Sequence, residues 1–209
     1  MPSEPTVVLV DDNSDLRDSL AHWLQAAAFR TEGYANAEAL LAVFDPDRAG
    51  CLIVDVYLDQ MSGVNLQAEL LRRGVRTPII MTSGLASVSD IVEVIRAGAF
   101  DYLEKPIDRD VLVDCVRRAL ALDARLREFR RAQEETRQRL DSLTPREHQT
   151  MKLLLSGKNT KQIARELEIS PKTVDNHRSM LMKKMRVDSP VELLQLMHTL
   201  ETAAVGGGD

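Results

Sequence analysis

Three carboxylates stand directly after short apolar segments of the chain. Asp11 and Asp12 follow the segment Thr6 to Val10, and Asp55 follows the segment Cys51 to Val54. If both segments are parallel strands of one sheet, their carboxyl ends lie side by side and the three acids meet. Three acids cannot share a small pocket without a cation, and oxygen ligands of this kind suit Mg²⁺.

Two further polar groups stand at the ends of later apolar segments. Thr82 and Ser83 end the segment that begins at Pro78, and Lys105 comes shortly after the segment Asp101 to Leu103. A lysine ammonium neutralises the charge of a phosphoryl group, and a hydroxyl donates to one of its oxygens. Together with the acids, these groups predict a pocket in which a carboxylate is phosphorylated. Taken singly they have simpler explanations, because acids before helices commonly act as N-caps and the other groups as turn or surface residues.

The elements that must position these groups alternate between strand and helix patterns over residues 1–122. Short β-rich segments are separated by stretches with apolar residues at helical spacing, which is typical of βα units around a parallel sheet. The predicted strands are Thr6 to Val10, Arg30 to Tyr34, Cys51 to Val54, Pro78 to Thr82 and Asp101 to Leu103. We therefore expect an α/β fold with a doubly wound, five-stranded parallel sheet that binds ligands beyond the carboxyl ends of its strands.

A long helix is predicted to lead out of this sheet domain. Apolar residues at three- and four-residue spacing run from Leu112 to Phe129 and are then interrupted by the polar Gln133 and Thr136. The pattern predicts a linker helix over residues 123–142 with a weak coiled-coil periodicity. Two interpretations stay open, a solvated spacer helix and a contact between two parallel chains.

An all-α domain of four helices is predicted over residues 143–200, followed by a disordered tail over residues 201–209. Its first helix begins at Thr144, a candidate N-cap that is followed by Pro145 and, at the capping-box position, by Glu147.

The second and third of these helices have a helix-turn-helix pattern. Thr160 to Leu167 and Ser170 to Met185 flank a tight turn at Glu168 and Ile169. The later helix exposes a polar and basic surface that suits the major groove of DNA. This surface comprises Lys172, Thr173, Asp175, Asn176, His177, Arg178, Ser179, Lys183 and Lys184. On the pattern alone, a helical protein-binding module stays open as an alternative.

Composition and charge exclude several classes of protein. The 209 residues are 44% hydrophobic and include two cysteines, which excludes collagen, wholly disordered chains and disulfide scaffolds. Cys51 and Cys115 are far apart in the sequence and are expected to be reduced core thiols. Acids predominate in residues 1–122 and basic residues in residues 145–200, so the last part is expected to have a different partner, and nucleic acid is the candidate. The apolar runs are far too short to span a bilayer, and we expect a soluble, cytoplasmic protein.

The stretch from about Thr6 to Leu122 resembles the receiver domain of bacterial two-component response regulators, which has a flavodoxin-like fold. The matching elements are Asp11-Asp12, Asp55 followed by Met61-Ser62-Gly63, the hydroxyl after the fourth strand, and the run from Ala97 to Pro106. The resemblance implies that Asp55 accepts a phosphoryl group from a sensor histidine kinase. It also implies that Asp12, Asp55 and the carbonyl of Tyr57 bind Mg²⁺, with Asp11 assisting through a water molecule.

Three more residues match the switch of receiver domains. Ser83, rather than Thr82, has the family spacing to Lys105 that belongs to the switch hydroxyl. Tyr102 matches the aromatic residue that turns inward when this hydroxyl moves toward the phosphoryl group. The bond between Lys105 and Pro106 is expected to be cis, as in the family.

Residues from about Leu143 to Leu200 resemble the LuxR-type DNA-binding domain of the NarL/FixJ group. The matching segments are Leu143-Thr144-Pro145-Arg146-Glu147, Gly157, Lys161-Gln162-Ile163-Ala164 and Ile169 to Arg178. The resemblance implies that Asp175, Asn176 and Ser179 read base edges. The implied phosphate contacts are Lys161, Lys172, Thr173, Arg178 and Lys183.

The resemblance also implies a homodimer on DNA that forms on activation. The expected contacts are Val191, Leu194 and Met197 in the last helix, with Ile91, Val94, Ile95 and Leu112 as candidates in the sheet domain. We expect a phosphorylation-dependent transcriptional activator that binds double-stranded promoter DNA and RNA polymerase, and not an enzyme. A phosphatase or phosphotransferase, and a protein-interaction module that does not bind DNA, stay open as alternatives.

The sequence departs from the family patterns at several positions. Asp59 stands where receivers commonly have proline, and Tyr57 and Leu85 are bulky residues at positions that flank the phosphoryl group. Tyr57 and Leu85 are expected to hinder the attacking water, so that self-dephosphorylation is slow. Asp175 is an acid where the DNA-binding family frequently has a basic residue, and an ion pair with Arg178 or Lys172 is the alternative to base contact.

Overall fold

The structure is a computed structural model that describes residues 4–84 and 88–205. The chain divides into two compact units, and the boundary lies between Arg127 and Glu128.

The first unit is built on one parallel sheet. Its strands are β1 (Thr6–Val10), β2 (Arg30–Tyr34), β3 (Gly50–Asp55), β4 (Ile79–Ser83) and β5 (Asp101–Glu104), in the spatial order β2-β1-β3-β4-β5. The predicted doubly wound, five-stranded sheet is confirmed, and each predicted strand lies within one residue of the observed bounds. The order reverses next to β1, which is where sheets of this type bind their ligands.

Helices cover both faces of the sheet. They are α1 (Ser14–Ala26), α2 (Ala37–Leu41), α3 (Gly63–Arg72), α4 (Val88–Arg96) and the first part of α5 (Arg109–Asp141). Side chains of β1 alternate between two apolar clusters, with Val8 and Val10 in one and Val7 and Leu9 in the other. This alternation follows from the two-residue period of a strand and gives the sheet a core on each side.

Two residues predicted to contact a second chain belong to these cores instead. Val94 is 2% exposed and Leu112 is 0% exposed, so neither offers a surface in this unit. Their helical spacing arises because they lie on the faces of α4 and α5 that pack against the sheet of the same unit. Ile95, by contrast, is 44% exposed and Ile91 is half-buried.

Helix α5 is continuous over 33 residues, as the apolar spacing predicts. Its last turns are not a fully solvated spacer, because Thr136 is buried and Leu140 packs against the core of the second unit. Phe129 is 49% exposed. The contact with a second chain along this helix stays a prediction.

The second unit contains α6 (Pro145–Leu155), α7 (Thr160–Glu166), α8 (Pro171–Met185) and α9 (Pro190–Val205) after the end of α5. The predicted capping box is present, since Thr144 and Glu147 each accept from the other's backbone N–H. The predicted start of a disordered tail at residue 201 is wrong, because α9 continues to Val205. Residues 206–209 lie outside the described residues.

Both cysteines are buried free thiols, as the sequence predicts. Burial raises the pKa of the Cys51 and Cys115 thiols, that of Cys115 to about 12, so both stay protonated and unreactive at neutral pH. Within the described ranges, no helix is both long and apolar enough to cross a membrane.

A buried carboxylate fixes α5 to the amino-terminal end of the sheet. Asp123 is 2% exposed, and its Oδ2 accepts from the backbone N–H of Gly50 at 2.9 Å and from Nε of Arg127 at 2.7 Å. The Arg127 guanidinium also donates to the backbone carbonyls of Asp47 and Arg48. The segment before β3 is therefore held by the last turn of α5 that belongs to the first unit.

We expect the Asp123→Ala substitution to lower the free energy of unfolding of the first unit by about 2 kcal/mol, because it leaves the buried N–H of Gly50 and Nε of Arg127 without their acceptor. Asp114→Ala is the matched control, since Asp114 also pairs with an arginine four residues later but its side chain is 68% exposed. The control should leave stability unchanged. Urea unfolding followed by the fluorescence of Trp23, the single tryptophan of the chain, reports on this unit. Equal losses in both variants would contradict a structural role for Asp123.

Candidate functional site

The three predicted carboxylates meet at the carboxyl ends of β1 and β3. The two strands pair in parallel with Val10 opposite Val54, so the residues that follow them are neighbours. Asp11, Asp12 and Asp55 each offer a carboxylate oxygen within 4.8 Å of the others. Asp11 and Asp55 are buried and Asp12 is exposed, so the cluster opens to solvent on one side.

The simpler explanation of Asp11 and Asp12 as helix N-caps does not hold. Asn13 is the N-cap of α1, and its side chain accepts from the backbone N–H of Leu16 at 3.1 Å. Oδ1 of Asp11 instead accepts from the backbone N–H of Asn13 at 2.9 Å, which orients the carboxylate at the end of β1.

Lys105, which follows β5, reaches across to the acids. Its Nζ lies 2.9 Å from Oδ2 of Asp11 and 2.6 Å from Oδ2 of Asp55. Burial by itself would lower the pKa of Lys105, but its hydrogen bonds to Asp55 and Asp11 outweigh burial and raise this pKa, so the amine is charged at neutral pH. Burial also raises the pKa of Asp55, and the contact with Lys105 offsets only part of that rise.

The donor set fits a divalent cation with a preference for oxygen. Its three carboxylates stand at one edge of the sheet, two buried and one exposed, and such ligands suit Mg²⁺. Asp55 is further oriented by the backbone N–H of Tyr57, which donates to its Oδ1 at 3.2 Å. This contact holds the Tyr57 backbone beside the cluster, and metal binding by the Tyr57 carbonyl stays a prediction.

The two hydroxyls at the end of β4 have different surroundings. Oγ1 of Thr82 lies 3.4 Å from the backbone carbonyl of Val54, within the sheet. Successive side chains of a strand point to opposite faces, so Ser83 has the other orientation. Ser83 is fully buried, and its backbone carbonyl accepts from the Tyr102 hydroxyl at 3.4 Å and from the Lys105 N–H at 2.8 Å. Ser83, Tyr102 and Lys105 are thus directly linked, and the Lys105–Pro106 peptide bond is cis, as expected.

Two residues that position this site were given no role in it from the sequence. Arg17 in α1 donates to the backbone carbonyl of Asp11 at 2.7 Å. Gly63, the first residue of α3, lies so close to β3 that a Cβ built there would be 2.2 Å from the backbone oxygen of Asp55. The Gly63 match was visible as part of the family pattern, whereas nothing in the sequence distinguished Arg17 from a surface arginine.

Of the three residues that depart from the receiver pattern, two lie in the part of the chain that the structure describes. Asp59 is exposed, and the Tyr57 side chain is 55% exposed. Leu85, which was expected to flank a phosphoryl group, lies outside the described residues.

In the second unit, α7 and α8 pack in the predicted helix-turn-helix arrangement. Ile163 and Ala164 of α7 contact Val174 of α8 in one buried cluster. The turn between the helices includes Glu168, which has a positive φ of 54°. Ser170 is the N-cap of α8 and accepts from the backbone N–H of Thr173 at 3.1 Å.

Most of the predicted DNA-contacting side chains of α8 share one exposed face. Those that are exposed are Lys172, Asp175, Asn176, Ser179 and Lys183, together with Lys161 of α7. Thr173 and Arg178 are half-buried, because they lie nearer to the face that carries Val174. Oδ1 of Asp175 accepts from the Thr160 hydroxyl at 3.3 Å, so its partner is this hydroxyl and not the Arg178 or Lys172 considered above.

Lys184, which the helix pattern placed on the polar surface, has a structural contact instead. Its Nζ lies 2.7 Å from Oε2 of Glu147 and 3.1 Å from the backbone carbonyl of Ser142. The side chain of Glu147 is only 6% exposed. This ion pair ties α8 to the first turn of α6 and thereby fixes the orientation of α8.

The Glu147 contact predicts a pH dependence. Burial would raise the pKa of Glu147, but Lys184 and the backbone N–H of Thr144 lower it below its usual range. A carboxylate with a lowered folded-state pKa contributes stability above its unfolded pKa of about 4.3, and this contribution is lost as pH falls through the folded-state value.

We therefore expect Glu147→Gln to lower the stability of the second unit by about 1–2 kcal/mol at neutral pH and by less in acid below about pH 4. Hydrogen exchange of the α6 and α8 amides measures this. Glu166→Gln, which removes an exposed pairing with Lys158, is the control and should have little effect at either pH. A Glu147→Gln effect that persists undiminished at low pH would contradict the assignment.

The three residues of α9 predicted to contact a second chain differ in their exposure to solvent. Val191 is 62% exposed and Leu194 is 53% exposed, whereas Met197 is half-buried against the core around Leu193. Val191 and Leu194 thus form an exposed apolar pair, and their contact with a second chain stays a prediction.

Comparison with known families gives two matches on this chain. Residues 7–117 match the family described as "Response regulator receiver domain". Residues 141–197 match "Bacterial regulatory proteins, luxR family". The first match covers every residue of the acidic cluster and its lysine, and the second covers α6 to α8 and the exposed start of α9.

Individual proteins match over nearly the whole chain. The chain is 36% identical to "Transcriptional regulatory protein FixJ" of Rhizobium meliloti, covering 97% of this chain and 96% of that protein. It is 34% identical to "Response regulator protein TmoT" of Ectopseudomonas mendocina, over 95% of this chain and 90% of that one. Among solved structures, the response regulator StyR superposes with a TM-score of 0.86 at 35% identity, covering 94% of this chain and 99% of that one.

Proposed function

This chain belongs to the two-component response regulators that join a receiver domain to a LuxR-type DNA-binding domain, and within it we propose that Asp55 is the residue that is phosphorylated. Members of this family are phosphorylation-dependent transcriptional regulators, and so is this protein. The observation that carries the assignment is the position of Asp55, a buried carboxylate held 2.6 Å from Lys105 beside Asp11 and Asp12.

The proposed reaction is transfer from a phosphohistidine of a sensor kinase. A carboxylate oxygen of Asp55 attacks phosphorus, the P–N bond breaks, and the imidazole leaves with the electron pair. Asp11, Asp12 and Asp55 would hold Mg²⁺, together with the carbonyl of Tyr57, and when bound the ion would neutralise charge on the transferring oxygens. The Lys105 ammonium would donate to one phosphoryl oxygen in exchange for its present contact with Asp55.

The signal is proposed to pass through Ser83 and Tyr102. Ser83 is the last residue of β4, which pairs with β3, and the Tyr102 hydroxyl donates to its backbone carbonyl. A shift of the Ser83 hydroxyl toward the phosphoryl group would free Tyr102 to turn inward, and this would change the surface of α4 and β5. That surface is proposed to favour a homodimer, in which Val191 and Leu194 of α9 also pair.

The DNA-binding unit is proposed to place α8 in the major groove of promoter DNA. Asn176, Ser179 and Asp175 would face base edges, and Lys161, Lys172, Thr173, Arg178 and Lys183 would face phosphates. Dimerisation would let two copies read the half-sites of an inverted repeat. As a DNA-bound regulator, the protein is proposed to act in the cytoplasm, as an activator that contacts RNA polymerase.

Phosphorylation with a small-molecule phosphodonor tests this proposal directly. Incubation with acetyl phosphate and Mg²⁺ should add one phosphoryl group per chain, at Asp55 by peptide mapping. Sizing should then show a shift toward dimer, and DNA affinity should rise roughly ten- to a hundredfold. An unchanged mass and an unchanged DNA affinity would contradict the switch.

Two measurements distinguish the alternatives. Turnover of more than one equivalent of a phosphorylated substrate other than the phosphodonor would support an enzyme, although Tyr57 occupies the position two residues after Asp55 where such sheets often have a second catalytic acid. Binding of nucleic acid that does not weaken with rising salt would count against phosphate contacts by the lysines of α8.

The phosphorylated state is proposed to lose its phosphoryl group slowly by its own hydrolysis. Because the bulky Tyr57 and Leu85 are expected to hinder the in-line water, replacing both with asparagine should speed dephosphorylation several-fold. Loss of label from the phosphorylated chain measures the rate. Val43→Asn, a change at an apolar side chain that is 63% exposed, is the control and should leave the rate unchanged. An unchanged rate in the double variant would refute the hypothesis.

A further inference from the structure

An apolar side chain interrupts the polar face of α8. Met180 is 48% exposed, and it is the one large apolar side chain of this helix that is so exposed. The other large apolar residues of α8 are buried or half-buried in the cores of the second unit, Val174, Leu181, Met182 and Met185. The exposure of Met180 is therefore not a consequence of an incomplete core around it.

The position of Met180 places it on the surface that would enter DNA. It stands four residues after Asn176 and three residues before Lys183, and such neighbours share one face of a helix. At about 100° per residue, Met180 lies roughly 60° from Lys183 on one side around the helix axis, and Asp175 lies about 80° from Lys183 on the other side. Met180 thus borders the same exposed stripe as Lys172, Asn176 and Ser179.

The positive charge of this stripe and the small size of its apolar part favour DNA as the partner. The exposed stripe beside Met180 carries Lys172 and Lys183, and lysine is depleted in the cores of protein–protein interfaces. One methionine at the edge of this stripe is also much smaller than the apolar patch that a stable protein interface needs. A helix that docks in the major groove through this stripe would cover the Met180 side chain and bring it to the base edges.

The major groove contains one kind of apolar group, the C5-methyl of thymine. The methionine side chain is unbranched, flexible and polarizable, so it can adapt to such a methyl. We propose that Met180 is a specificity-determining residue that reads a thymine methyl group in each half-site. This inference rests on the proposed function of the second unit and adds a contact that the polar residues of α8 do not supply.

The experiment uses the full-length protein treated with beryllium fluoride and Mg²⁺ to mimic phosphorylation. A binding site is first selected from a random duplex library, and each thymine is then replaced in turn by deoxyuridine, which lacks only the methyl. Loss of one buried methyl should weaken binding by the wild-type protein about fourfold at one thymine in each half-site.

The variants identify the side chain that senses the methyl. Met180→Ala and the nearly isosteric but polar Met180→Gln should bind the thymine duplex about fourfold less tightly and should no longer distinguish it from the deoxyuridine duplex. Met180→Leu should keep the distinction. Lys183→Ala is the matched control on the same face and should weaken both duplexes equally, with a smaller salt dependence.

The outcomes separate this inference from the proposed function. Salt-dependent, selective DNA binding in which Met180→Ala stays as sensitive to the methyl as the wild type would overturn the role of Met180 alone. The same holds if no thymine of the selected site is sensitive to loss of its methyl. If no duplex is selected at all, the DNA-binding proposal itself is wrong and this inference falls with it.

Discussion

Asp55→Asn leaves the chain unable to take up a phosphoryl group from acetyl phosphate or from a kinase, and the loss is complete. A carboxamide lacks the anionic oxygen that attacks phosphorus, and it removes the charge that Lys105 faces at 2.6 Å. The substitution preserves size, so the fold should persist. Without phosphorylation, the dimer and the high-affinity DNA complex should no longer form in response to phosphodonor.

The control for this prediction is Asp59→Asn. Asp59 is an exposed carboxylate four residues later on the same loop, and its removal should leave the extent of phosphorylation unchanged. Intact-mass measurement of both variants after incubation with phosphodonor and Mg²⁺ gives the comparison. Full labelling of the Asp55→Asn protein would show that another residue is the acceptor, and the assignment of the site would then be wrong.

Gly63→Ala is expected to damage both the stability of the first unit and its phosphorylation. The added Cβ would lie 2.2 Å from the backbone oxygen of Asp55 and 3.0 Å from a side-chain carbon of Val54. A backbone oxygen in a central strand cannot move aside without shifting β3, so the cost should be about 3 kcal/mol. The shift would also displace the Asp55 carboxylate from Lys105.

Gly84→Ala is the matched control, because Gly84 also borders the site. A Cβ there would meet nothing closer than the Cβ of Lys105 at 3.9 Å, an ordinary van der Waals distance. The free energy of unfolding, measured in urea by Trp23 fluorescence, and the rate of phosphorylation should therefore be close to wild type for Gly84→Ala. Both should be strongly reduced for Gly63→Ala. If the two variants had similar stability and similar phosphorylation rates, the close approach of α3 to β3 would not be what excludes a side chain at residue 63.

Much of the fold was visible in the sequence because its signals are local. The five strands were predicted from short β-rich apolar runs, and the start of α6 from Thr144, Pro145 and Glu147, whose capping contacts involve neighbours in the chain. The meeting of Asp11, Asp12 and Asp55 was predicted as well, because parallel strands place the residues after them at one edge.

Other features could not be predicted because they depend on contacts between distant parts of the chain. Helical spacing showed that Val94 and Leu112 lie on apolar faces, but it could not distinguish a face covered by its own sheet from one that awaits a second chain. In the same way, the pattern placed Lys184 on a polar surface, and only the packing of α8 against α6 gave it Glu147 as a partner.

The sequence by itself determined the order of elements, the helix caps and the set of side chains at the ends of the strands, because propensity, capping and periodicity act over a few residues. The tertiary structure decided which groups act together. It brought the Lys105 ammonium to the carboxylates of Asp11 and Asp55, which follow or end other strands. It also brought the Arg17 guanidinium to the backbone carbonyl of Asp11 and the Asp123 carboxylate to the backbone N–H of Gly50. It left Met180 exposed beside the lysines of α8. These relations arise from close packing of segments far apart in the chain, and no local pattern encodes such distances.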